Sequence, residues 1–302
     1  MWFKNLQIFR LPSPWQVDVE QLSARLATQS FSQCPSNEMQ SEGWASPKDN
    51  GQLIHSVNQQ LLLLLSTEKK LLPSTVINQV AKARAAELEE QQGFAPGRKA
   101  MKDLKERVID ELLPRAFGIQ RSTWVWIDPV NGWLVVDTSS PSKADEIIKL
   151  LLKCDKLPLE SLRVKLSPQS AMTDWLVGND APKGFTIDQD TELRSHTEDK
   201  ATVRYVNHTI DAVDVQRHIA AGKQCTKLAL TWNDRVSFIL TESLALKRIK
   251  PLDILAEDKE SRTNNEDERF DADFVLMSSE LASMLNDLIF ALGGELETLK
   301  AV

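Results

Sequence analysis

The segment "TWVWIDPVNGWLVVDT", residues 123–138, constrains the fold most strongly, because its pattern predicts two apolar strands joined by a tight turn. The residues Asp128-Pro129-Val130-Asn131-Gly132 separate the two apolar runs, and an Asn-Gly pair suits turn positions that need a positive φ. The segment "SPSKADEIIKLLLK" follows, with a Ser/Pro start and apolar residues at helical spacing. A hairpin that leads directly into a helix predicts a β-β-α unit.

Apolar periodicity and turn-forming residues divide the rest of the chain into further elements. We predict strands at about 2–10, 52–57, 60–67 and 201–206, a hairpin and a third strand between 223 and 250, and loops at 34–51 and 260–273. Helices are predicted at about 18–29, 74–92, 98–113, 171–177 and 211–221, with a last helix that begins at Ser278 or Ser279. The helices at 74–92 and 98–113 are expected to form a helical hairpin. Strands and helices mix without strict alternation, so the predicted class is α+β.

The chain is treated as one unit, 1–302, with four subregions. They are an N-terminal β/α part at 1–72, the helical hairpin at 73–117, a β-hairpin plus helix at 118–170, and a C-terminal α+β part at 171–302. Five consecutive leucines at 61–65 predict a strand buried on both faces, since a bilayer needs about 20 apolar residues. Lys4 and Arg10 interrupt any signal-peptide core, so we expect a cytoplasmic protein.

Most catalytic and cofactor-binding motifs are missing from the sequence. It contains neither of the glycine-rich phosphate-binding motifs, no C-x-x-C pair, and no two histidines at i,i+4. No cofactor is therefore expected. One enzymatic alternative stays open: Asp271 and Asp273 in "RFDADF" would share a face on a strand and could hold a divalent metal, as in a metal-dependent nuclease.

The charges are segregated along a chain whose formal net charge is −7. Between Lys69 and Arg121 there are 11 Lys/Arg against 7 Asp/Glu, and between Lys223 and Lys250 there are 6 against 2. The segment "ALKRIK", 245–250, closes the second block; on a regular strand Arg248 and Lys250 would share one face and Lys247 the other. Cations on neighbouring strands could gather on one surface and bind nucleic-acid phosphates, or they could form a solvated face with ion pairs.

Several motifs resemble the RdgC family, recombination-associated DNA-binding proteins of bacteria. They are "WFKNL" at 2–6, "LLPRAF" at 112–117, "WIDPVNG" at 126–132, "AGK" at 221–223, "TKLAL-W" at 226–232, "LKRIK" at 246–250 and "RFDADFVLM" at 269–277. They are spread over nearly the whole chain and match no common catalytic motif.

The resemblance implies a homodimer that closes head-to-head and tail-to-tail into a ring. The ring would hold duplex DNA, and possibly single strands, without base specificity, would compete with RecA in the nucleoid, and would not be an enzyme. In the family pattern Phe117 falls at the ring-closing contact, although it could instead be a core residue. The basic positions of the pattern are Lys70, Arg115, Lys223, Lys227, Arg235, Lys247, Arg248 and Lys250. Asn207 and His208 stand where relatives carry lysine. A protein that grips a recombination partner directly is a further alternative.

Overall fold

The computed structural model describes residues 2–195, 200–208, 212–257 and 265–296. The strands within these ranges are β1 (Asn5–Arg10), β2 (Gln40–Ala45), β3 (Ile54–Val57), β4 (Gln60–Lys70), β5 (Gly118–Asp128), β6 (Trp133–Asp137), β7 (Glu160–Ser161), β8 (Phe185–Ser195), β9 (Thr202–Tyr205), β10 (Lys223–Trp232), β11 (Val236–Thr241) and β12 (Leu246–Pro251). The helices are α1 (Val19–Leu26), α2 (Ser74–Gln92), α3 (Arg98–Leu112), α4 (Pro141–Cys154), α5 (Pro168–Gly178), α6 (Ala212–Ala220), α7 (Asp253–Glu257) and α8 (Glu266–Ala291).

All the strands belong to one antiparallel sheet. Its order is β2-β4-β5-β6-β1-β12-β11-β10-β8-β9, with β3 also paired to β4 and β7 to β1. The N-terminal strand β1 lies in the middle: Leu6 is opposite Asp137 of β6 on one side and Leu246 of β12 on the other. The first strand thus joins the N-terminal and C-terminal halves, and the predicted mixture of helices with antiparallel strands is confirmed.

Alternating side chains place the two faces of the sheet in two different cores. One core lies under α5, α6 and α8 and includes Leu62. The other lies under α1 and α4 and includes Leu61, Leu63 and Leu65. The five-leucine strand is therefore buried on both faces, as predicted.

The two halves of the sheet differ in how their faces are covered. Strands β4, β5, β6 and β1 carry apolar side chains in both cores. Over β8 to β12, the described helices α5, α6, α7 and α8 contribute buried side chains to the first core only. Side chains on the opposite side, such as Ser237, Ile239 and Lys250, are half-buried or exposed. We call this side of β8 to β12 the open face.

The last helix is longer than the sequence pattern predicts. It begins at Glu266 rather than at Ser278 or Ser279, and the Asn265 side chain accepts a hydrogen bond from the Asp267 N–H as the cap. Acidic residues in its first turn are favourable there because the N-terminal end of a helix carries partial positive charge. The part of the predicted loop from 266 to 273 is thus helical, and 258–264 lies outside the described residues.

Two other elements escaped the pattern. Strand β2 lies inside the stretch 34–51 that was predicted to be a loop, and it pairs with β4 along its whole length. Its Gly43 leaves room for the backbone of Phe31, which a side chain at this position would meet. Strand β8 was not predicted, although it pairs with β10 along its length. Charged residues at Asp188, Asp190 and Glu192 hide the apolar pattern of this strand, which buries Phe185 and Leu193 in the first core.

Helix α8 is long and apolar enough, by length and composition, to cross a membrane. Its apolar side chains are nevertheless packed against the sheet: Phe274, Met277 and Leu281 are fully buried in the first core. This arrangement is that of a central helix in a globular core. The two helices α2 and α3 pack against each other as the predicted helical hairpin, with Ala81 and Val108 among their buried residues.

Candidate nucleic-acid interface

An irregularity in β12 sets the direction of its cations. Lys247 lies opposite Ile239 and Lys250 opposite Ser237, so that Arg248 and Ile249 together face the single residue Phe238. Arg248 has a φ of +53°. A bulge of this kind shifts the alternation by one residue, which puts Lys247 and Lys250 on the open face and Ile249 in the core. The predicted arrangement, with Arg248 and Lys250 on one face and Lys247 on the other, is wrong.

A second irregularity does the same for β10. Cys225 lies opposite Leu193 and Lys227 opposite Glu192, so Thr226 is the extra residue. Cys225 and Leu228 are both in the first core, and Lys227 therefore points to the open face. Without the bulge, Lys227 would share the buried face of Cys225.

The open face brings together four of the eight predicted basic residues. Lys227, Lys247 and Arg248 line a cavity of about 410 Å³ together with Arg204, which sequence reasoning did not single out. Lys250 lies farther along the same face of β12. We call these five residues the C-terminal basic group; its members are Arg204, Lys227, Lys247, Arg248 and Lys250.

Much of this positive charge is already neutralised within the protein. The carboxylate of Glu192, which is only 3% exposed, accepts hydrogen bonds from Lys227 (2.8 Å), from Arg194 (2.9 Å) and from Arg204. Burial alone would raise the pKa of Glu192, but hydrogen bonds from Lys227, Thr226 and Arg204 lower that pKa to about 2. Arg248 lies 3.6 Å from Asp190. Lys247 and Lys250 have no ion pair with any residue that the structure describes.

Two predicted cations of the second basic block, 223–250, do not join this group. Arg235, in the turn after β10, forms two hydrogen bonds of 2.7 and 2.6 Å with Glu280 of α8, on the helical side of the sheet. The planar guanidinium matches a carboxylate in this two-point manner. Lys223 starts β10, two residues before buried Cys225, and therefore shares its side of the strand.

A second basic surface lies near the far ends of β4 and β5. Lys70, one of the predicted residues, lines a cavity of about 780 Å³ with Lys69, Arg121 and Lys143. We call these four residues the N-terminal basic cleft. Within the described part of the chain no carboxylate lines this cavity, and Lys69, Lys70 and Arg121 form no ion pair. Lys143 is 3.8 Å from Glu42 and 3.5 Å from Glu146.

The sequence held a signal for the members of this cleft that were missed. Lys69 and Arg121 lie at the two ends of the first basic block, and the pairing of β4 with β5 sets Lys69 opposite Ile119 and Thr67 opposite Arg121. Knowing that pairing would have placed both cations on one face. Arg115 is exposed in the short turn Leu113–Arg115 and does not line the cavity.

The loop between β6 and α4 lies between the two basic surfaces. Thr138 and Ser140 line the N-terminal basic cleft, and Ser139 lines the cavity of the C-terminal basic group. Ser140 caps α4 by accepting a hydrogen bond from the Lys143 N–H. The cations of both halves of the chain are therefore neighbours, separated by a loop of three small polar residues.

Comparison with known proteins assigns the chain to a family. Residues 1–295 match the family described as "Putative exonuclease, RdgC". A "Recombination-associated protein RdgC" from Janthinobacterium sp. (strain Marseille) is 65% identical over 298 residues, which cover 98% of this chain and 99% of the relative. The proteins of the same name from Herminiimonas arsenicoxydans and Cupriavidus pinatubonensis (strain JMP 134 / LMG 1197) are 66% and 60% identical, each over 296 residues, with the same coverage.

The chain belongs to the RdgC family.

The RdgC motif "LLPRAF" ends in an exposed aromatic residue. Phe117 is 82% exposed, so the alternative that it is a core residue is wrong. Its carbonyl accepts a hydrogen bond of 2.7 Å from the Leu71 N–H, which fixes the backbone at this position. Leu71 and Ile119 are 50% and 41% exposed. The three side chains leave apolar surface in water beside the N-terminal basic cleft.

The RdgC family description contains the word exonuclease, and the acidic motif "RFDADF" is the candidate metal site of a nuclease. Asp271 and Asp273 lie on α8, where two residues apart means opposite directions rather than one face, so the shared-face geometry expected for a strand is wrong. Asp271 contacts Lys48 at 2.5 Å and His55 at 3.0 Å. Among the described residues there is no group of three His, Cys, Asp or Glu side chains that could hold a metal ion.

Proposed function

We propose that this RdgC chain is a non-enzymatic protein that binds DNA without sequence specificity, encircles duplex DNA as a ring-shaped dimer and limits RecA-dependent recombination. One observation carries the proposal. Cations from β4, β5, α4, β10 and β12 gather on either side of one loop, 138–140, in a chain of net charge −7. Positive surface concentrated in this way is what binding to a phosphate backbone requires.

The N-terminal basic cleft supplies the strongest phosphate contacts in this proposal. Lys69, Lys70 and Arg121 have no ion pair within the described residues, so they bind phosphate without losing an internal partner. In the C-terminal basic group, Lys247 and Lys250 act in the same way. Lys227 and Arg248 would exchange a protein carboxylate for a phosphate, which yields less net free energy. Lys223, Arg115 and Arg235 stay predictions as DNA contacts.

Ring closure in the proposal uses the apolar residues around Phe117. A second copy of the chain that meets this surface would cover Phe117, Leu71 and Ile119, which are otherwise exposed to water. The contact lies next to the N-terminal basic cleft, so the cations of both copies would face a common space. The rest of the proposal follows from occupancy: DNA held in the ring is not available to RecA, and no cofactor takes part. Location in the cytoplasm, at the nucleoid, belongs to the same proposal.

Topological retention tests the proposal directly. We expect the protein to stay on nicked circular DNA after a salt challenge that removes it from short linear duplex, because a closed ring cannot slide off a circle. Phe117→Ser should abolish this difference while leaving binding to short duplex within about twofold. Equal release from circular and linear DNA by the unmodified protein would contradict encirclement.

The same preparation separates DNA binding from the nuclease hypothesis. Incubation of plasmid with the protein and Mg²⁺ or Mn²⁺ should leave the DNA intact. Strand cleavage that disappears in Asp271→Asn would contradict the proposal and favour an enzyme.

A further inference from the structure

The cavity of the C-terminal basic group also contains the only tyrosine of the chain. Tyr205, the last residue of β9, lines it together with Val206 and Ile239 on its apolar side. Asn5 of the central strand β1 and Ser139 of the loop between β6 and α4 also line it. An aromatic ring, cations, the carboxylates of Asp190 and Glu192, and uncharged hydrogen-bonding groups thus line a single cavity of about 410 Å³.

The position of Tyr205 is fixed by its neighbours. In the sheet it lies opposite Thr191 of β8. The backbone N–H of Asn207 donates a hydrogen bond of 2.8 Å to Asp190, which ties the segment after β9 to β8. The ring of His208 has its centre 6.1 Å from that of Tyr205. The aromatic surface is therefore held in place before any ligand binds.

The charged wall of the cavity is equally ordered. Glu192 holds Arg204 and Lys227 by hydrogen bonds, so these two cations belong to the wall. Lys247 carries no ion pair within the described part of the chain, and Arg248, which is 75% exposed, lies 3.6 Å from Asp190 and can exchange this partner for a phosphate. The charges available to an incoming anion are thus those of β12, at the rim of the cavity.

The size of the cavity decides what can enter. About 410 Å³ is in the range of sites for small molecules, roughly 300–1,000 Å³. A double helix, whose major groove alone is about 12 Å wide, does not fit into such a cavity. A single base with its sugar fits, and a base stacks on an aromatic ring whatever its identity.

We propose that this cavity binds one unpaired nucleotide of single-stranded DNA, with its base stacked on Tyr205 and its phosphate at Lys247 and Arg248. The inference rests on the proposed function and adds to it a binding site for an unpaired nucleotide, such as gaps and forks contain. Duplex contacts the two basic surfaces without entering the cavity, whereas a single strand also inserts a base into it. The site is selective for strandedness and not for sequence.

Two substitutions of Tyr205 test the stacking contact. Fluorescence anisotropy with a 30-nucleotide single strand and with a 30-base-pair duplex should show that Tyr205→Leu weakens binding to the single strand by about tenfold. Binding to duplex should change by less than twofold. Tyr205→Phe keeps the ring and should restore binding to the single strand. Equal losses on the two DNAs, or no loss on either, would overturn the inference.

A cross-linking measurement on the unmodified protein tests the same contact without depending on the folding of a variant. A single strand that carries 5-iodouracil is cross-linked by light, and the cross-linked peptide is identified by mass spectrometry. The inference predicts a cross-link to Tyr205; cross-links confined to peptides without residues 204–206 would contradict it. A protein that binds neither single strand nor duplex would instead contradict the proposed function itself, so the two failures are distinguishable.

Discussion

The two basic surfaces have similar charge in the sequence and different charge in the structure. The blocks 69–121 and 223–250 each have an excess of four Lys/Arg over Asp/Glu. In the N-terminal basic cleft, Lys69, Lys70 and Arg121 have no ion pair within the described residues. In the C-terminal basic group, Asp190 and Glu192 neutralise Lys227, Arg204 and Arg248. The carboxylates come from the neighbouring strand β8, which the sheet brings alongside β10.

This difference shows what a charge count along the chain misses. Segregated blocks of opposite sign become neighbours once strands pair, so that an acidic stretch can neutralise a basic one that follows it some 30 residues later. The cations of the N-terminal basic cleft are not neutralised in this way, because β4 and β5 carry the uncharged residues Thr67, Ile119 and Thr123 on the same face. We therefore expect the two surfaces to contribute unequally to DNA binding.

The largest effect is expected from the N-terminal basic cleft. The triple change Lys69→Gln, Lys70→Gln and Arg121→Gln should weaken binding to duplex by about 30-fold or more at 0.1 M salt, since three uncompensated phosphate contacts are lost. Anisotropy titrations measure this. The control removes the same charge from exposed lysines of α4 and the residues after it, Lys149, Lys153 and Lys156. A loss as large in the control would show that the cleft is not special.

A smaller effect is expected from the C-terminal basic group. The triple change Lys227→Gln, Lys247→Gln and Arg248→Gln removes the same formal charge but should weaken binding to duplex by only about threefold. Two of these cations already have carboxylate partners, which the substitution leaves without them. Thermal unfolding of the variant serves as the check on its fold. A loss equal to that of the cleft variant would break the comparison between the two surfaces.

The smallest effect on DNA binding, and a clear one on stability, is expected from Glu192→Gln. Affinity for duplex should rise by about twofold because Lys227 and Arg204 are released. The free energy of unfolding should fall by about 1–3 kcal/mol, since hydrogen bonds to a charged group are lost. Chemical denaturation and anisotropy measure the two quantities. Unchanged stability would contradict the role assigned to the Glu192 cluster.

The same residue gives a pH dependence of defined sign. The folded pKa of Glu192, about 2, lies below its ordinary value of 4.5. Its contribution to stability is therefore complete above about pH 4.5 and is lost as the pH falls towards 2. The difference in the free energy of unfolding between the unmodified protein and Glu192→Gln should shrink over this window. A difference that is constant down to pH 2 would contradict the low pKa.

Much of the fold was predictable because periodicity reports burial. The helical hairpin shows a helical period, and the hairpin at 123–138 and the five-leucine strand show continuous apolar runs; the structure has all three where the pattern indicates. Strand β8 was missed because charged side chains alternate along its open side and ion pairs with other strands satisfy them. Helix α8 was placed too late because its first turns are acidic, which favours a helix start as much as a loop.

The site was less predictable than the fold because it depends on irregular backbone. The bulges at Thr226 and Arg248 turn Lys227 and Lys247 to the open face, and an alternating pattern cannot show an extra residue. Arg235 pairs with Glu280 of α8, on the helical side of the sheet and 45 residues away in sequence. The positions of Lys69 and Arg121 required the pairing of β4 with β5. The family resemblance supplied eight basic positions but not their ion pairs.

The dependence of duplex binding on salt tests the central claim most directly. If free cations of the two surfaces grip phosphates, the logarithm of the binding constant should fall linearly with the logarithm of the salt concentration, with a slope of about −0.9 for each phosphate neutralised. The triple variant of the N-terminal basic cleft should lower the magnitude of that slope by about 2 to 3, and the triple variant of the C-terminal basic group by about 1. A slope near zero for the unmodified protein, or an unchanged slope in the cleft variant, would contradict the account.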